Sequence, residues 1–430
     1  MRVTVFGAGY VGAVCAIVLA SVGHRVTCVD KAPGRLQRWR DGEDPLNEPG
    51  LADLLSRVNV DFRSEPGDLA CADVIVVAVG TPTDDTGRPD VSQVDAVAAE
   101  IGALARDGAV VLVRSTVPVG TCDRLQNSTL RRLRVTSNPE FLREGHALHD
   151  SLVPDRIIAG GHPDARPVVE ELYRRIIDGR ELPGGLRSQE AVPLLWMSAR
   201  SAELAKYAAN GFLATKLSFV NEIANIAQAV GADASAVLGS MALDPRIGPH
   251  YLRPGLGWGG SCFPKDTRAF QAIAAGSGYD FVVLRAAIEQ NARQLSRFAS
   301  AIEQAVPSGG SVGLLGLAFK AGTSDTRESP AIALATRLIS CGLNVVAYDP
   351  AVRELPAELR LPVRRSVVEA CRGADAVVIA TEWPEFAEID LVALRPVTRG
   401  DLLFDGRSVI SPMKATLAGF RYRGVAGSGD

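Results

Sequence analysis

The sequence predicts an α/β protein with two doubly wound parallel sheets, joined by a long central helix and a helical core. Three observations predict it. A short β run, Val3-Thr-Val-Phe6, meets Gly7-Ala-Gly9-Tyr-Val11-Gly12 and then a small-residue helix, Ala13 to Val22. The same order of strand, helix and strand ending in aspartate returns after Val306-Pro-Ser-Gly-Gly310. Between the two, from about Trp196 to Gly231, the chain holds no proline and only Gly211 as an internal glycine. Such βαβ order gives right-handed crossovers and a Rossmann-like sheet on each side of the helical segment.

Each element follows in turn. Arg25-Val-Thr-Cys-Val-Asp30 reads as the second strand. Further apolar runs read as strands: Val74 to Val79, Ala109 to Arg114, and Val135 to Ser137. The helix from Trp196 would run about 50 Å at roughly 1.5 Å per residue, enough to bridge domains. The segment from about 275 to 305 is again helical, and residues 306–310 read as a linker. Beyond it come strand Ser311 to Gly316, helix Ser329 to Ser340, strand Asn344 to Asp349 and strand Ala374 to Thr381. Three domains are expected, at 1–195, 196–306 and 307–430.

Composition narrows the function classes. The chain has 430 residues, 47% apolar and 22% charged, as expected for a soluble globular protein. A net charge of −3 gives no case for nucleic acid or an anionic membrane as the main partner. No apolar run approaches the roughly 18 residues of a membrane span. The opening residues enter a strand directly, so no signal peptide is expected. Seven scattered cysteines without CxxC spacing point to a reduced, cytoplasmic compartment, and five histidines without HxxxH or HExxH predict no catalytic metal.

Gly7, Gly9 and Gly12 fit GxGxxG between a strand and a helix. The first allows a tight turn, the second lets a pyrophosphate approach the backbone, and the third permits close helix–strand packing. The helix N-terminus attracts phosphate. Asp30 follows Gly12 at the spacing where a carboxylate takes a ribose 2′-hydroxyl and repels a 2′-phosphate, so NAD is expected over NADP. Arg35 reads either as a surface charge or as a group approaching the adenosine side of the cofactor.

Cys262 sits in Gly255-Leu-Gly-Trp-Gly259-Gly-Ser-Cys262-Phe-Pro-Lys265-Asp266. Glycines let a backbone pass close to a bulky ligand. Lys265 is a cation able to favour the thiolate, and Asp266 is a candidate base or orienting group. The other six cysteines read as packing. A nucleophilic thiol beside a hydride acceptor suits an enzyme that makes an aldehyde, captures it covalently and oxidises it again. Lys206 and Asn210 stand one helical turn apart and share a face. Glu203 and Lys206, at i,i+3, read equally as a surface ion pair.

With these pieces assembled, the chain resembles the UDP-glucose/GDP-mannose dehydrogenase family over nearly its whole length. The matching segments are Gly7 to Gly12, Gly80-Thr81-Pro-Thr83, Ser115-Thr116-Val-Pro-Val-Gly120, Asn138-Pro-Glu140-Phe-Leu-Arg-Glu144-Gly145, Lys206 to Asn210, Asp244-Pro-Arg246-Ile-Gly248, the Cys262 loop, and Gly316 to Lys320 through Arg327-Glu-Ser-Pro330. The resemblance implies NAD contacts by Val11, Asp30, Arg35, Thr81, Thr116, Glu144, Lys265 and Arg327. It implies substrate contacts by Glu140, Phe141, Leu142, Arg143, Lys206, Asn210, Tyr251, Arg253, Gly255, Gly259 and Lys320. Arg246 in the matching motif reaches a neighbouring subunit's site, which implies a homodimer or larger assembly built on the long helix.

The reaction implied is four-electron oxidation of the C6 alcohol of a nucleotide sugar with two NAD, through a thiohemiacetal and a thioester on Cys262. Asp266 is the candidate base, through a water held by Thr116. Lys206 and Asn210 stabilise the oxygen, and Glu140 activates the hydrolytic water. Pro154-Asp-Arg-Ile-Ile158 and the Arg246 and Cys262 motifs look most like those of UDP-glucose members. Trp258 stands where Phe is often found, and Arg35 where Lys is common. The alternatives are a GDP-mannose or UDP-N-acetylhexosamine substrate, a two-electron hydroxyacid dehydrogenase without need of the thiol, and a non-catalytic NAD- or nucleotide-sugar-binding protein.

Overall fold

The computed structural model describes residues 1–84 and 86–428. The chain divides into two compact units: Met1–Ala209 with Arg268–Ser277, and Asn210–Thr267 with Gly278–Asp430.

Among the described residues the first unit holds eight strands: β1 (Arg2–Phe6), β2 (Arg25–Val29), β3 (Val60–Arg63), β4 (Val74–Val77), β5 (Val110–Val113), β6 (Arg134–Ser137), β7 (Ile157–Gly161) and β8 (Leu194–Met197). Their spatial order is β3-β2-β1-β4-β5-β6-β7-β8. The sheet is parallel except at β6/β7, where Thr136 faces Gly161 in an antiparallel pair. The fully parallel sheet expected from the βαβ alternation is corrected there.

Alternation along the strands explains the double winding. Val74, Val76, Val110 and Leu112 belong to one core, with the helix Tyr10–Ser21. Ile75, Val77, Val111 and Val113 belong to another, with the helix Ser92–Leu104. Strands apolar on both faces must be covered on both faces. The order reverses between β1 and β4, and the crevice at such a switch point is where open α/β sheets place ligands.

Two expected boundaries move. Trp196 lies in β8, not in the long helix, because Leu194 to Met197 pair in register with Ile157 to Gly160. The helix itself is Ala199–Val230. The helix expected from 275 to 305 starts later, as Val282–Ala305, and a separate helix, Phe263–Gly276, ends where it was expected to begin. Gly278, at φ 76°, breaks them.

The second unit holds β9 (Ser311–Leu315), β10 (Asn344–Tyr348), β11 (Ala376–Ile379), β12 (Leu402–Asp405), β13 (Arg421–Gly424) and β14 (Gly427–Ser428), in the order β10-β9-β11-β12-β13-β14. Only β14 runs antiparallel to its neighbour. One face packs Val312, Leu314 and Val378 on the helices Val282–Ala305 and Pro330–Ser340, and the other buries Leu315, Val377 and Phe386.

The repeat seen in the sequence ends differently in the two sheets. Asp349 is fully buried and accepts from the backbone N–H groups of Leu317, Ala318, Ala351 and Val352 and from Trp383 Nε1. Its acceptor sites are taken up by the fold itself, so it braces the turn after β9. Asp30 keeps part of its surface open, at 11% side-chain exposure.

Candidate active site

The sequence-predicted site residues fall in both units. In the first, Gly7 takes φ 102° directly after β1. A Cβ at Gly12 would stand 1.9 Å from the Gly7 carbonyl oxygen, so only glycine lets the helix Tyr10–Ser21 approach the strand. A Cβ at Gly9 would meet nothing within 4 Å. Gly9 therefore opens onto free space, as a backbone approached by a phosphate requires. The first turn of that helix carries no acidic residue, so its positive end is left for an anion. Asp30 accepts from Ala8 N–H at 2.7 Å and Ala32 N–H at 2.8 Å, and pairs with Arg35 at 2.9 Å. Turn, carboxylate and arginine stand together, and these residues fit a dinucleotide.

Neighbouring strand-end loops are laced to one another. Thr81 donates its hydroxyl to the Thr116 carbonyl at 2.7 Å, and Ser115 donates to the Val79 carbonyl at 2.6 Å. This ties the loops after β4 and β5. The loop after β6 carries Glu140, Phe141, Leu142, Arg143 and Glu144. Lys206 Nζ donates to Glu140 Oε1 at 2.9 Å, with both side chains under one-tenth exposed. The expected i,i+3 alternative, a surface pair of Lys206 with Glu203, is corrected by that contact. Burial would raise the Glu140 carboxyl, but the Lys206 ammonium, the Leu142 N–H and the Arg114 guanidinium together hold it below its ordinary range. The Lys206 ammonium lies 5.5 Å from the centre of the Phe141 ring. Arg143 pairs with Asp150 at 2.6 Å. Val11 is half-buried in the first helical turn.

In the second unit, Cys262 is half-buried and immediately precedes the helix Phe263–Gly276. Its carbonyl accepts from Asp266 N–H at 2.8 Å, and its sulfur lies 3.5 Å from Ser261 Oγ. A helix N-terminus favours a thiolate. Burial instead pushes the Cys15, Cys28, Cys122 and Cys371 thiols up, the last to about 12. Lys265 and Asp266 were expected in a loop; they lie in the first helical turn, where Pro264 is tolerated. Asp266 is 1% exposed. It accepts from Asn210 Nδ2 at 2.6 Å and from Lys265 Nζ at 2.6 Å.

The glycines of this loop serve the protein's own packing. A Cβ at Gly259 would stand 2.1 Å from the Glu328 carbonyl oxygen, and one at Gly260 would press on the Phe319 ring at 2.7 Å. Gly259 and Gly260 thus let the loop approach the segments of Lys320 and Arg327 closely. Gly255 is held at both ends, its N–H by Asn221 Oδ1 at 2.8 Å and its carbonyl by Gln294 Nε2 at 2.9 Å. Trp258 donates Nε1 to Ser218 Oγ at 2.9 Å and is 7% exposed, so the bulkier ring is absorbed among helices. Tyr251 and Glu328, both non-glycine, adopt φ 60° and φ 48°. Arg327 pairs with Asp325 at 2.6 Å, and Lys320 Nζ lies 5.7 Å from the Phe319 ring centre. Arg253 is exposed. Arg246, 87% exposed at its side chain, pairs with Asp244 at 2.6 Å.

Two residues, Glu48 and Arg407, escaped the sequence reading, and a third, Glu203, reads there only as half of a surface pair. Glu48, 4% exposed, accepts from Ala147 N–H at 2.6 Å, from Gly145 N–H at 2.8 Å and from the Tyr10 hydroxyl. Glu203, 3% exposed, accepts from Gly120 and Cys122 N–H. Arg407 donates to the carbonyls of Ala380 at 2.9 Å and Phe319 at 3.1 Å, and a Cβ at Gly255 would stand 3.0 Å from its Nη1. Only Arg407 left a local trace, in Asp405-Gly-Arg407 after an apolar strand.

A polar groove of ≈ 290 Å³ in the second unit, lined by Gln294, Arg297, Phe404 and Arg423, contains none of the sequence-predicted site residues. Among the described residues no group of three or more His, Cys, Asp or Glu side chains is arranged to hold a metal, and no helix is long and apolar enough to cross a membrane.

Fold and site together define a dinucleotide-dependent α/β oxidoreductase carrying a thiol at a helix start. Three family models match in sequence along the chain. They are the NAD binding domain of the UDP-glucose/GDP-mannose dehydrogenase family at residues 1–177, its central domain at 200–293 and its UDP binding domain at 313–412. A UDP-glucose 6-dehydrogenase of Pseudomonas aeruginosa is 41% identical, covering 99% of this chain and 97% of its own. The YwqF UDP-glucose 6-dehydrogenase of Bacillus subtilis is 38% identical over the same shares. A solved UDP-glucose dehydrogenase from Pyrobaculum islandicum superposes with a TM-score of 0.88 at 35% identity, over 99% of this chain and 98% of its own.

The chain belongs to the UDP-glucose/GDP-mannose dehydrogenase family. It is an NAD-dependent dehydrogenase whose partner is a nucleotide sugar.

Proposed function

We propose that the chain oxidises the C6 alcohol of UDP-glucose to the carboxylate of UDP-glucuronate, in the cytoplasm, where its seven cysteines stay reduced. The observation that carries the reading is Cys262, a half-buried thiol at a helix start, with the buried Asp266 of the following turn held by buried Asn210 and half-buried Lys265. Bound NAD, held by the Gly7–Gly12 turn, Asp30 and Arg35, supplies a two-electron hydride acceptor, once for each oxidation. Val11, Thr81, Thr116, Glu144, Lys265 and Arg327 are assigned to the same cofactor.

The chain's own residues do the rest. Asp266 receives the hydroxyl proton as C6 is oxidised to the aldehyde, with Thr116 assigned to an intervening water. Lys206 and Asn210 stabilise negative charge on the oxygen; such a donor is worth about 3 kcal/mol. The Cys262 thiolate adds to the aldehyde carbon, forming a C–S bond. Loss of the second hydride turns that thiohemiacetal into a thioester. Water then adds to the acyl carbon, the C–S bond breaks, and the thiolate returns. Glu140 takes the proton of that water. Its pairing with Lys206 depresses its basicity, and movement of the ammonium to the substrate oxygen restores it. Phe141, Leu142, Arg143, Tyr251, Arg253, Gly255, Gly259, Lys320 and Arg407 are assigned to the sugar nucleotide. The three domains then divide the work, with cofactor at 1–195, thiol at 196–306 and UDP at 307–430.

UDP-glucose is preferred to other sugars because the curated relatives above carry that name; a UDP-D-ManNAc dehydrogenase from Pyrococcus horikoshii is a more distant likeness, with a TM-score of 0.85 at 28% identity. A thermal-shift panel tests the substrate. UDP-glucose, with NAD, should raise the midpoint more than GDP-mannose or UDP-N-acetylhexosamines, and should alone give sustained NADH formation. A larger shift and faster turnover with another sugar would replace it.

We further assign a homodimer on the long helix. Phe212, Phe219, Ile226 and Val230 are 69%, 53%, 53% and 71% exposed. Their spacing of seven, seven and four places them in one stripe, an apolar seam of the kind that pairs helices. Phe219→Asp should convert a dimer to a monomer in light scattering behind size exclusion. A dimer retained by the variant would contradict this seam.

A further inference from the structure

We propose that Glu203 is a positioning residue for the dehydrogenation. Its buried carboxylate fixes the Ser115–Gly120 loop to the helical turn that carries Lys206. The inference rests on the function proposed above.

Glu203 Oε2 accepts from Gly120 N–H at 2.6 Å, and Oε1 from Cys122 N–H at 2.8 Å. Gly120 sits at φ 95° and opens the helix Thr121–Asn127. The carboxylate thus grips the far end of the loop that holds Thr116. The near end is held by Ser115 on Val79 and by Thr81 on the Thr116 carbonyl. One turn further along the helix Ala199–Val230, Lys206 reaches Glu140 on the loop after β6. A single helical turn therefore fixes two strand-end loops, one through each side chain. Burial pushes the Glu203 carboxyl up, against the pull of the two N–H groups. A side chain kept mainly as a surface charge would face water. This one is 3% exposed, with one oxygen on the last residue of the loop and the other on the first turn of the helix that follows it.

A cap that served only the short helix Thr121–Asn127 would stabilise the fold and leave chemistry alone. A strap between two loops of the site does something else. Losing it frees the Thr116 loop and the Lys206 turn from each other, and small misplacements of reacting groups lower rates by large factors.

The test uses the full chain with Glu203→Gln, Glu203→Asp and Arg200→Ala. Gln keeps the size but turns an amide N–H toward a backbone N–H. Asp keeps the charge but loses reach. Arg200, exposed and paired with Asp123 at 2.6 Å, is the control on the same turn. Glu203→Gln should fold, lower kcat roughly ten- to hundred-fold and raise KM for NAD, with KM for the sugar nucleotide within about two-fold. Glu203→Asp should fall between Gln and the native chain, and Arg200→Ala should match the native chain. A folded Glu203→Gln with native kinetics overturns the proposal. Failure of both Glu203 variants to fold also overturns it, in favour of a purely structural cap. If the native chain oxidises no nucleotide sugar, the proposed function itself has failed. NAD affinity by fluorescence then still reads the loop, and an unchanged affinity in Glu203→Gln overturns its positioning role.

Discussion

Cys262→Ser is expected to lower the rate of acid formation by about 10³-fold or more, with sugar-nucleotide affinity within about two-fold of the native chain. In the proposed mechanism the sulfur holds the aldehyde covalently for a second oxidation. A serine hydroxyl is a far weaker nucleophile near neutral pH, because so little of it is ionised. Its size and polarity are close enough to leave the loop intact: the glycines there press on Glu328 and Phe319, and the Cys262 carbonyl, not its side chain, receives the Asp266 N–H. Rapid mixing with chromatographic product analysis and a separate binding titration make the check. Native rates of acid release in the serine variant would remove the thiol from the mechanism. A parallel loss of binding would mean that the substitution had disturbed the loop.

Glu140→Gln should leave the first two-electron step working, slow the hydrolysis roughly 10²–10⁴-fold, and cause the thioester to accumulate. The amide cannot take a proton from water. Its second effect is on stability. Removing one partner of a buried pair costs roughly 3–5 kcal/mol, and the amide oxygen, which can still accept from Lys206, offsets part of this. The sign with pH follows from the depressed Glu140 carboxyl. In the native chain this group stabilises the fold above its unfolded pKa, near 4.3 by the usual value for Glu. That contribution is lost as pH falls through its lower folded pKa. The variant lacks this acid-limb term, so its stability deficit is largest near neutral pH and shrinks in acid.

Features that depend on neighbouring backbone were legible in the sequence. Gly7, Gly9 and Gly12 serve a turn whose geometry is local, and Asp30 is placed by the length of one βαβ unit. The alternation of Val74 to Val77 between two cores follows from strand periodicity. Features set by distant partners were not legible. Trp196 reads as helical by its neighbours, and pairing with Ala159 on β7 makes it a strand. Glu48 meets Gly145 and Ala147, nearly a hundred positions on, and nothing around Asn47-Glu-Pro-Gly signals that. The spacing of Glu203 and Lys206 pairs them on one helix face, but Lys206 meets Glu140 on the loop after β6, and Glu203 meets Gly120 and Cys122 at the start of the helix Thr121–Asn127. Gly255 to Gly260 give the Cys262 motif the look of a loop throughout, yet a helix starts at Phe263, and its first turn accepts Pro264. That misreading placed Lys265 and Asp266 in a loop, although the order of the motif stood correctly.

The most direct measurement is the intact mass of Glu140→Gln quenched during turnover with UDP-glucose and NAD, followed by peptide mapping. A chain heavier by one UDP-glucuronyl group, with the added mass on residue 262, is the predicted result. An unmodified chain that continues to release acid, or an adduct mapped to any other residue, would contradict covalent four-electron oxidation at this cysteine.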